Sequence, residues 1–461
     1  MKKAPLIFAA FTLLGSSHLT NLVFAADPQG QRDTSAQTPT EGDAADQAKA
    51  LKAAAAGEPE AAWKMGLHYQ TGDGVAKNLD EAVRWFSSVE SGLTYRALGD
   101  LYRSELSNMP VALKWYRKAS ELGDAKAYQA LGEAYLKGND VPQDYAEAIR
   151  CYELAAKELP EVTSVLADLY EKGEGVPMDY SRMLKWLEQG VQQEDPRATF
   201  KFAKRLVQRD PQAAMALYKK AADLGNVDAL SAIASMHLDG DGTPKDVREA
   251  IRWYLMAAQK GDIKAYTQLG VAHQNLSPPE HETALEWYKK GAANGDITAM
   301  RNLALMYRNG TGVQQNAREA ISWYERAAEH GDVDAMITIA VTYQDGQGVE
   351  RSYSNAGLWY EKAAAAGDDA SNLSLASLFA HGLGVNRDFN LAVDLAELAI
   401  SKNERAKFSF QHGWENWPPE FLKAFQSRLV ERGYYEGAVD GQYGPLTHWA
   451  IHALHSSGKT R

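Results

Sequence analysis

The sequence predicts an all-α protein: a right-handed α-solenoid of about ten helix-turn-helix repeats with a small helical module behind it. Three observations predict this. One unit recurs along most of the chain, as in "AMRNLALMYRNGTGVQQNAREAISWYERAAEHGD" from Ala299 and "AMITIAVTYQDGQGVERSYSNAGLWYEKAAAAGD" from Ala335. Within the unit, apolar residues recur at helical spacing twice, separated by glycines. The pattern then stops, and a segment with an Asp-Gly turn, "YYEGAVDGQYGPLTHWAI" from Tyr434, follows it.

The chain begins with features of a secretory signal, assigned to residues 1–25. Lys2 and Lys3 give a positive start, Leu6 to Leu14 an apolar run, and Val23 and Ala25 a small-residue cleavage site. The run is too short for a span of about 20 residues, and Ser16, Ser17, His18 and Thr20 interrupt it, so a membrane anchor is the weaker reading. Residues 26–45 have almost no bulky apolar side chains and are expected to be a disordered leader.

Residues 46–404 carry the repeats. The aromatic position of the second helix is held by Trp85, Trp115, Cys151, Trp186, Leu217, Trp253, Trp287, Trp323, Trp359 and Leu395, which counts ten units. The last three steps are 36 residues each; the steps into Trp115, Leu217 and Trp287 are shorter, at 30, 31 and 34. Those are the units whose Gly-x-Gly-Val loop is missing or rewritten, which places the deletions between helices. In the first helix Met300, Leu303, Ala304 and Tyr307 share a face, and Gly310 and Gly312 end it. Val313 is expected to tuck under the loop. In the second helix Ala320, Trp323, Tyr324, Ala327 and Ala328 make the expected buried stripe, Gly331 ends it, and Asp332 caps the next helix. One unit cannot bury its apolar face alone, so stability must be shared between neighbours. The aromatics are therefore read as core residues.

The pattern A-x-x-x-L-(G/A)-x-x-Y-x-x-G-x-G-V followed by A-x-x-W-Y-x-x-A-A-x-x-G-D resembles Sel1-like repeats, relatives of the tetratricopeptide repeat. The resemblance implies a solenoid used for protein–protein contact or scaffolding, often in bacterial envelopes, and does not imply catalysis. Some secreted relatives pair their helices with disulfides. Here Cys151 is the only cysteine, so no intramolecular disulfide can form, and none lies near the cleavage site to carry a lipid. Cys151 reads as an inert core residue.

Residues 405–419 form an aromatic connector. Phe408, Phe410, Trp414 and Trp417 are too costly to leave in water and are expected to dock on the last repeat. In residues 420–461, Phe421, Ala424, Phe425 and Leu429 share a helical face, Gly433 ends that helix, and Pro445 opens another, with Trp449, Ala450 and Leu454 expected inward. Phe425-Gln426, Leu429, Gly433, Tyr434, Gly437, Val439, Asp440, Gly441, Tyr443, Gly444, Thr447, Ala450 and Ile451 resemble the peptidoglycan-binding-like domain at fixed offsets. The copy departs from that family at Leu454-His455 and is truncated. The resemblance implies a wall ligand, for which Tyr434, Tyr435, Asp440, Tyr443 and Thr447 are the candidate residues.

The net charge is −11, and −13 without Lys2 and Lys3, which argues against a nucleic-acid partner. His448, His452 and His455 fall at i, i+4 and i+7 on the final helix. They read as surface histidines, with no metal expected, because Trp449 stands where a zinc protease carries its glutamate. The tail "SGKTR" is no phosphate loop, since Ala453 replaces its first glycine. No catalytic constellation and no cofactor are expected. The leading expectation is a non-catalytic periplasmic adaptor, holding an envelope protein through the solenoid and peptidoglycan through the C-terminal module. The alternatives are a secreted effector that binds a host protein and, behind it, an enzyme acting on peptidoglycan.

Overall fold

A computed structural model describes residues 52–53, 56–138 and 140–458; the signal and leader assignments lie outside them. The described residues form 23 α-helices and one 3-10 turn, with no strand among them. They divide into two compact units, one ending at Asp124 and one beginning at Ala125. The first unit holds two helical pairs, Pro59–Thr71 with Leu79–Ser87 and Gly92–Ser104 with Met109–Glu121. The second holds eight more pairs, from Ala125–Lys137 to Phe389–Lys402, and then the C-terminal helices.

The pair Ile297–Asn309 and Ala317–Glu329 shows how one unit is made. Met300, Leu303 and Ala304 face inward, with Tyr307 and Val313 at the edge of the same core. The small residue in the Leu-(Gly/Ala) pair is the seat for the second helix's tyrosine. Gly270 shows why it is small: a Cβ there would lie 2.4 Å from the Tyr288 ring. The tyrosine hydroxyl then finds a polar partner on the first helix, as Tyr288 donates to Gln274 Oε1 at 3.1 Å and Tyr360 to Gln344 Oε1 at 3.0 Å.

Two features of the repeat motif join one unit to the next. The second glycine of the loop lies against the start of the preceding unit's second helix. At Gly312, φ is 67°, and a Cβ would come within 2.7 Å of the His281 backbone carbon. The aspartate of the Gly-Asp motif does two jobs. Asp296 caps its helix by accepting from the Thr298 N–H at 2.8 Å, and it also accepts from Thr267 Oγ1 of the preceding unit at 2.6 Å. Asp262 takes a hydrogen bond from Ser231 in the same way at 2.6 Å, and Asp332 pairs with Arg301 at 3.4 Å. A cap is worth about 0.5–2 kcal/mol, and here the same side chain also fixes the neighbour.

The units with shortened steps keep both helices. Gly92–Ser104 and Met109–Glu121 are 13 residues each, with a contracted loop between them, but the helix before them, Leu79–Ser87, has nine. In the other two short units the first helices, Pro196–Leu206 and Lys264–Gln274, are trimmed to 11, so the deletions fall partly within helices and not only between them. The buried stripe needs one correction. Tyr324 is buried, but its neighbour Trp323 is only partly so. The two side chains of a consecutive pair diverge by about 100° around a helix, so one reaches the core and the other its rim. Several rim tryptophans carry a cation three residues on: Lys290 lies 4.0 Å from the Trp287 ring, Arg326 4.3 Å from Trp323 and Lys362 3.7 Å from Trp359. Cys151 is buried, as the sequence suggested, and burial pushes its thiol up to about 11.

The connector docks on the last repeat, with one exception. Residues Glu404–His412 are helical, so only one face of them can turn inward. Phe410 and Trp414 are buried, Trp417 packs at the edge, and Phe408 points outward, 58% exposed and stacked on His412. The C-terminal helices Pro419–Glu431 and Pro445–Gly458 then share a single core with the last repeat. Ala392, Ala396 and Ile400 of that repeat touch the same cluster as Phe421, Phe425, Ile451 and Leu454. Arg428 bridges to Glu397 at 3.0 Å and Arg432 to the same carboxylate at 2.9 Å. The end of the repeat array is closed by the module itself as well as by the connector.

Candidate functional site

The C-terminal module is organised around Gln426, which is fully buried. Its Oε1 accepts from the Gly441 N–H at 2.7 Å, and its Nε2 donates to the Gln442 carbonyl at 3.0 Å and to Asp440 Oδ1 at 3.3 Å. Trp414 of the connector donates to the Gly441 carbonyl at 2.9 Å. The Asp-Gly turn is therefore held from both sides. Gly441 sits at φ 81°, in the left-handed region that glycine tolerates. Asp440 accepts from the Gln442 N–H at 2.8 Å, and this bond, with help from Gln426, holds its carboxyl below the usual range.

Against this frame, the five candidate wall residues fall into two groups. Tyr435 and Thr447 are buried, and their hydroxyls donate to the carbonyls of Ala438 and Gln442. They hold the turn and present nothing to a ligand, which corrects their reading as contact residues. Tyr434 is half-buried and donates to Ser457 Oγ at 2.7 Å. Asp440 and Tyr443 are exposed. The Tyr443 ring leans on Trp414 with centroids 5.4 Å apart, and its hydroxyl meets His448 Nδ1 at 2.7 Å.

The final helix buries Thr447, Ala450, Ile451, Leu454 and His455. Trp449 therefore faces out, 69% exposed, where the sequence reading had it facing in. The signal was present in the sequence: 447, 450, 451 and 454 make a helical stripe that 449 does not join. Leu446 stands outward beside it. The surface thus carries Tyr443, Leu446, His448 and Trp449 together.

The three histidines also part company. His455 is buried, with Nδ1 2.6 Å from the Ile400 carbonyl and Nε2 2.6 Å from Glu404 Oε2, so it is not a surface residue. It ties the final helix to the last repeat. His448 and His452 stay at the surface, with ring centroids 4.7 Å apart. The His452 imidazole is held below its usual range by partial burial, by Lys407 and by His448. Among the described residues, no group of three or more histidine, cysteine, aspartate or glutamate side chains converges as a metal site. No described helix is long and apolar enough to cross a membrane.

Comparison with known proteins matches the Sel1 repeat model ten times, from residues 59–88 to residues 370–404. A protective antigen present in uropathogenic Escherichia coli strains and displaying an SLR fold superposes with a TM-score of 0.58 at 24% identity, covering 90% of this chain and 94% of that one. A Sel1 repeat protein from Oxalobacter formigenes gives a TM-score of 0.48 at 24% identity, covering 75% of this chain and 92% of its own. An uncharacterized protein of Neisseria meningitidis serogroup B is 31% identical over 106 residues, and the match spans only 23% of either chain. The ten matches agree with the ten units counted from the aromatic ruler and cover well over half of the sequence. The chain belongs to the Sel1 repeat family.

Proposed function

We propose that this protein is a periplasmic adaptor whose repeats hold an envelope protein and whose C-terminal module holds peptidoglycan. Sel1-repeat solenoids serve as protein–protein interaction scaffolds and are in general non-catalytic, which supports the first half. The observation that carries the second half is the outward pair Tyr443 and Trp449 on a module whose core is continuous with the last repeat. A flat ring covers a sugar face, and the hydroxyl of Tyr443 and the imidazole of His448 supply polar groups beside it. The shared core would fix the wall ligand relative to the last repeats, which is what an adaptor needs. The leader with Lys2, Lys3 and the Leu6 to Leu14 run supports export.

The test uses the full chain, because removing the module would strip Phe421, Phe425, Ile451 and Leu454 from the core of the last repeat. Full-length protein is expected in the periplasmic fraction and is expected to co-sediment with purified, protein-free murein sacculi. Trp449→Ala is expected to weaken sedimentation while leaving the thermal melt in place, since its ring stands in solvent. Tyr443→Ala is expected to weaken sedimentation with only a small fall in the melt, from the lost packing on Trp414. An acidic chain is repelled by anionic wall polymers, and salt screens that repulsion over about 10 Å at 0.1 M, so both low and moderate salt are needed. Full-length protein that stays in the supernatant at both would end the wall-binding half. Release into the medium would end the periplasmic half.

A further inference from the structure

We propose that His448 and His452 form a two-histidine binding site for a divalent transition-metal ion of the Zn2+, Ni2+ or Cu2+ class. The two side chains lie four residues apart on one helix, so they stand one above the other on its surface. Their ring centroids are 4.7 Å apart and the rings are inclined by 49°. A metal–imidazole bond is about 2.0–2.1 Å, so this ring separation is within the span that one bridging ion can join.

Two further relationships support the assignment. The Tyr443 oxygen lies 2.7 Å from His448 Nδ1. In the tautomer in which Nδ1–H donates to that oxygen, the ring is fixed and Nε2 keeps its lone pair for a metal. Histidine ligands are commonly oriented in this way by a partner on the other nitrogen. The third histidine of the series, His455, is held by the Ile400 carbonyl and Glu404 and is turned away from the surface. The site therefore has two protein ligands and leaves the remaining positions to water or to a donor from a bound molecule. Such a set is open and exchangeable, and imidazole donors favour zinc, copper and nickel over magnesium or calcium. This assignment does not depend on whether the module binds the wall.

Equilibrium dialysis of the untagged full-length protein against CuCl2, with ZnCl2 and MgCl2 in parallel, tests it. One equivalent of Cu2+ is expected to bind, Zn2+ is expected to compete for it, and Mg2+ is not. The spin-resonance spectrum of the copper-loaded protein is expected to show two imidazole nitrogens. His448→Ala and His452→Ala should each reduce that to one and weaken binding by at least about 10-fold, without moving the melt. Tyr443→Phe keeps the ring but frees His448, and a loss of about 10- to 100-fold is expected. The chain holds 11 histidines, so location matters as much as affinity. A double His448→Ala, His452→Ala variant that still binds one equivalent with unchanged affinity and spectrum would overturn the proposal, as would wild-type protein that binds none.

Discussion

The indole N–H of Trp414 donates to the carbonyl oxygen of Gly441 at 2.9 Å, inside the protein. The two residues belong to different parts of the sequence, the aromatic connector and the Asp-Gly turn. Their bond joins the turn to the same core that holds Ala392, Ala396 and Ile400 of the last repeat. This bond adds to the ties that Arg428, Arg432 and His455 make between the module and the last repeat.

Trp414→Phe keeps an aromatic ring there and removes the donor. The Gly441 carbonyl is then left buried without its partner, at a cost of about 1–3 kcal/mol. The melt should fall accordingly, and amide exchange should quicken most in residues 438–447. Unchanged exchange in that segment would show that the turn is held by Gln426 alone.

The loop glycines allow a cleaner comparison. Gly312 and Gly331 both have positive φ, at 67° and 86°. An alanine at either pays the left-handed backbone cost of about 1–2 kcal/mol. At Gly331 a Cβ meets nothing within 4 Å, whereas at Gly312 it meets the His281 backbone of the preceding unit. Gly312→Ala should therefore be worse than Gly331→Ala by a further amount of about 1–3 kcal/mol, the usual range for overpacking. Equal losses in denaturant titrations would mean that the loop does not interlock with its neighbour.

Much of this was legible in the sequence. The repeat count, the helix caps and the burial of Cys151 follow from periodicity and punctuation, which are local properties. The orientation of particular rings is not local. Phe408 points outward because residues 404–412 coil into a helix with only one face toward the last repeat. Tyr435 and Thr447 turn inward because Gln426, a polar residue with no apolar signature, gathers the turn around itself. Trp449 faces outward because the buried stripe of Ala450, Ile451 and Leu454 leaves it on the opposite side of the helix.

Cys151 offers a test of native packing at a single atom. Burial holds the thiol at about 11, well above the pH of a standard thiol titration. The thiolate is the reactive form, so at pH 8 the folded protein should react with a disulfide reagent far more slowly than a free thiol does. Reaction should rise to one equivalent on unfolding in guanidinium. Rapid stoichiometric reaction of the native protein would show that this helix pair opens readily.

The last prediction separates the two aromatics of the repeat and tests how units support one another. Tyr324 is 5% exposed and packs in the core formed with Leu303, Ala304 and Ile339, whereas Trp323 lies at the rim with Arg326 over its ring. Tyr324→Ala should cost about 3–5 kcal/mol, as for other buried aromatic truncations. Trp323→Ala should cost less, because part of its surface already meets water and the cation contact adds only about 0.5–1 kcal/mol at an exposed site. The core around Tyr324 includes residues of both flanking units, Leu285 and Tyr288 on one side and Met336 and Ile339 on the other. The damage from Tyr324→Ala should therefore reach helices His281–Ala293 and Val333–Asp345, and not only the pair that carries the substitution. Hydrogen exchange resolved by segment reads this directly. If protection falls only within residues 297–332, the units are stable one by one, and the nearest-neighbour account of this fold is wrong.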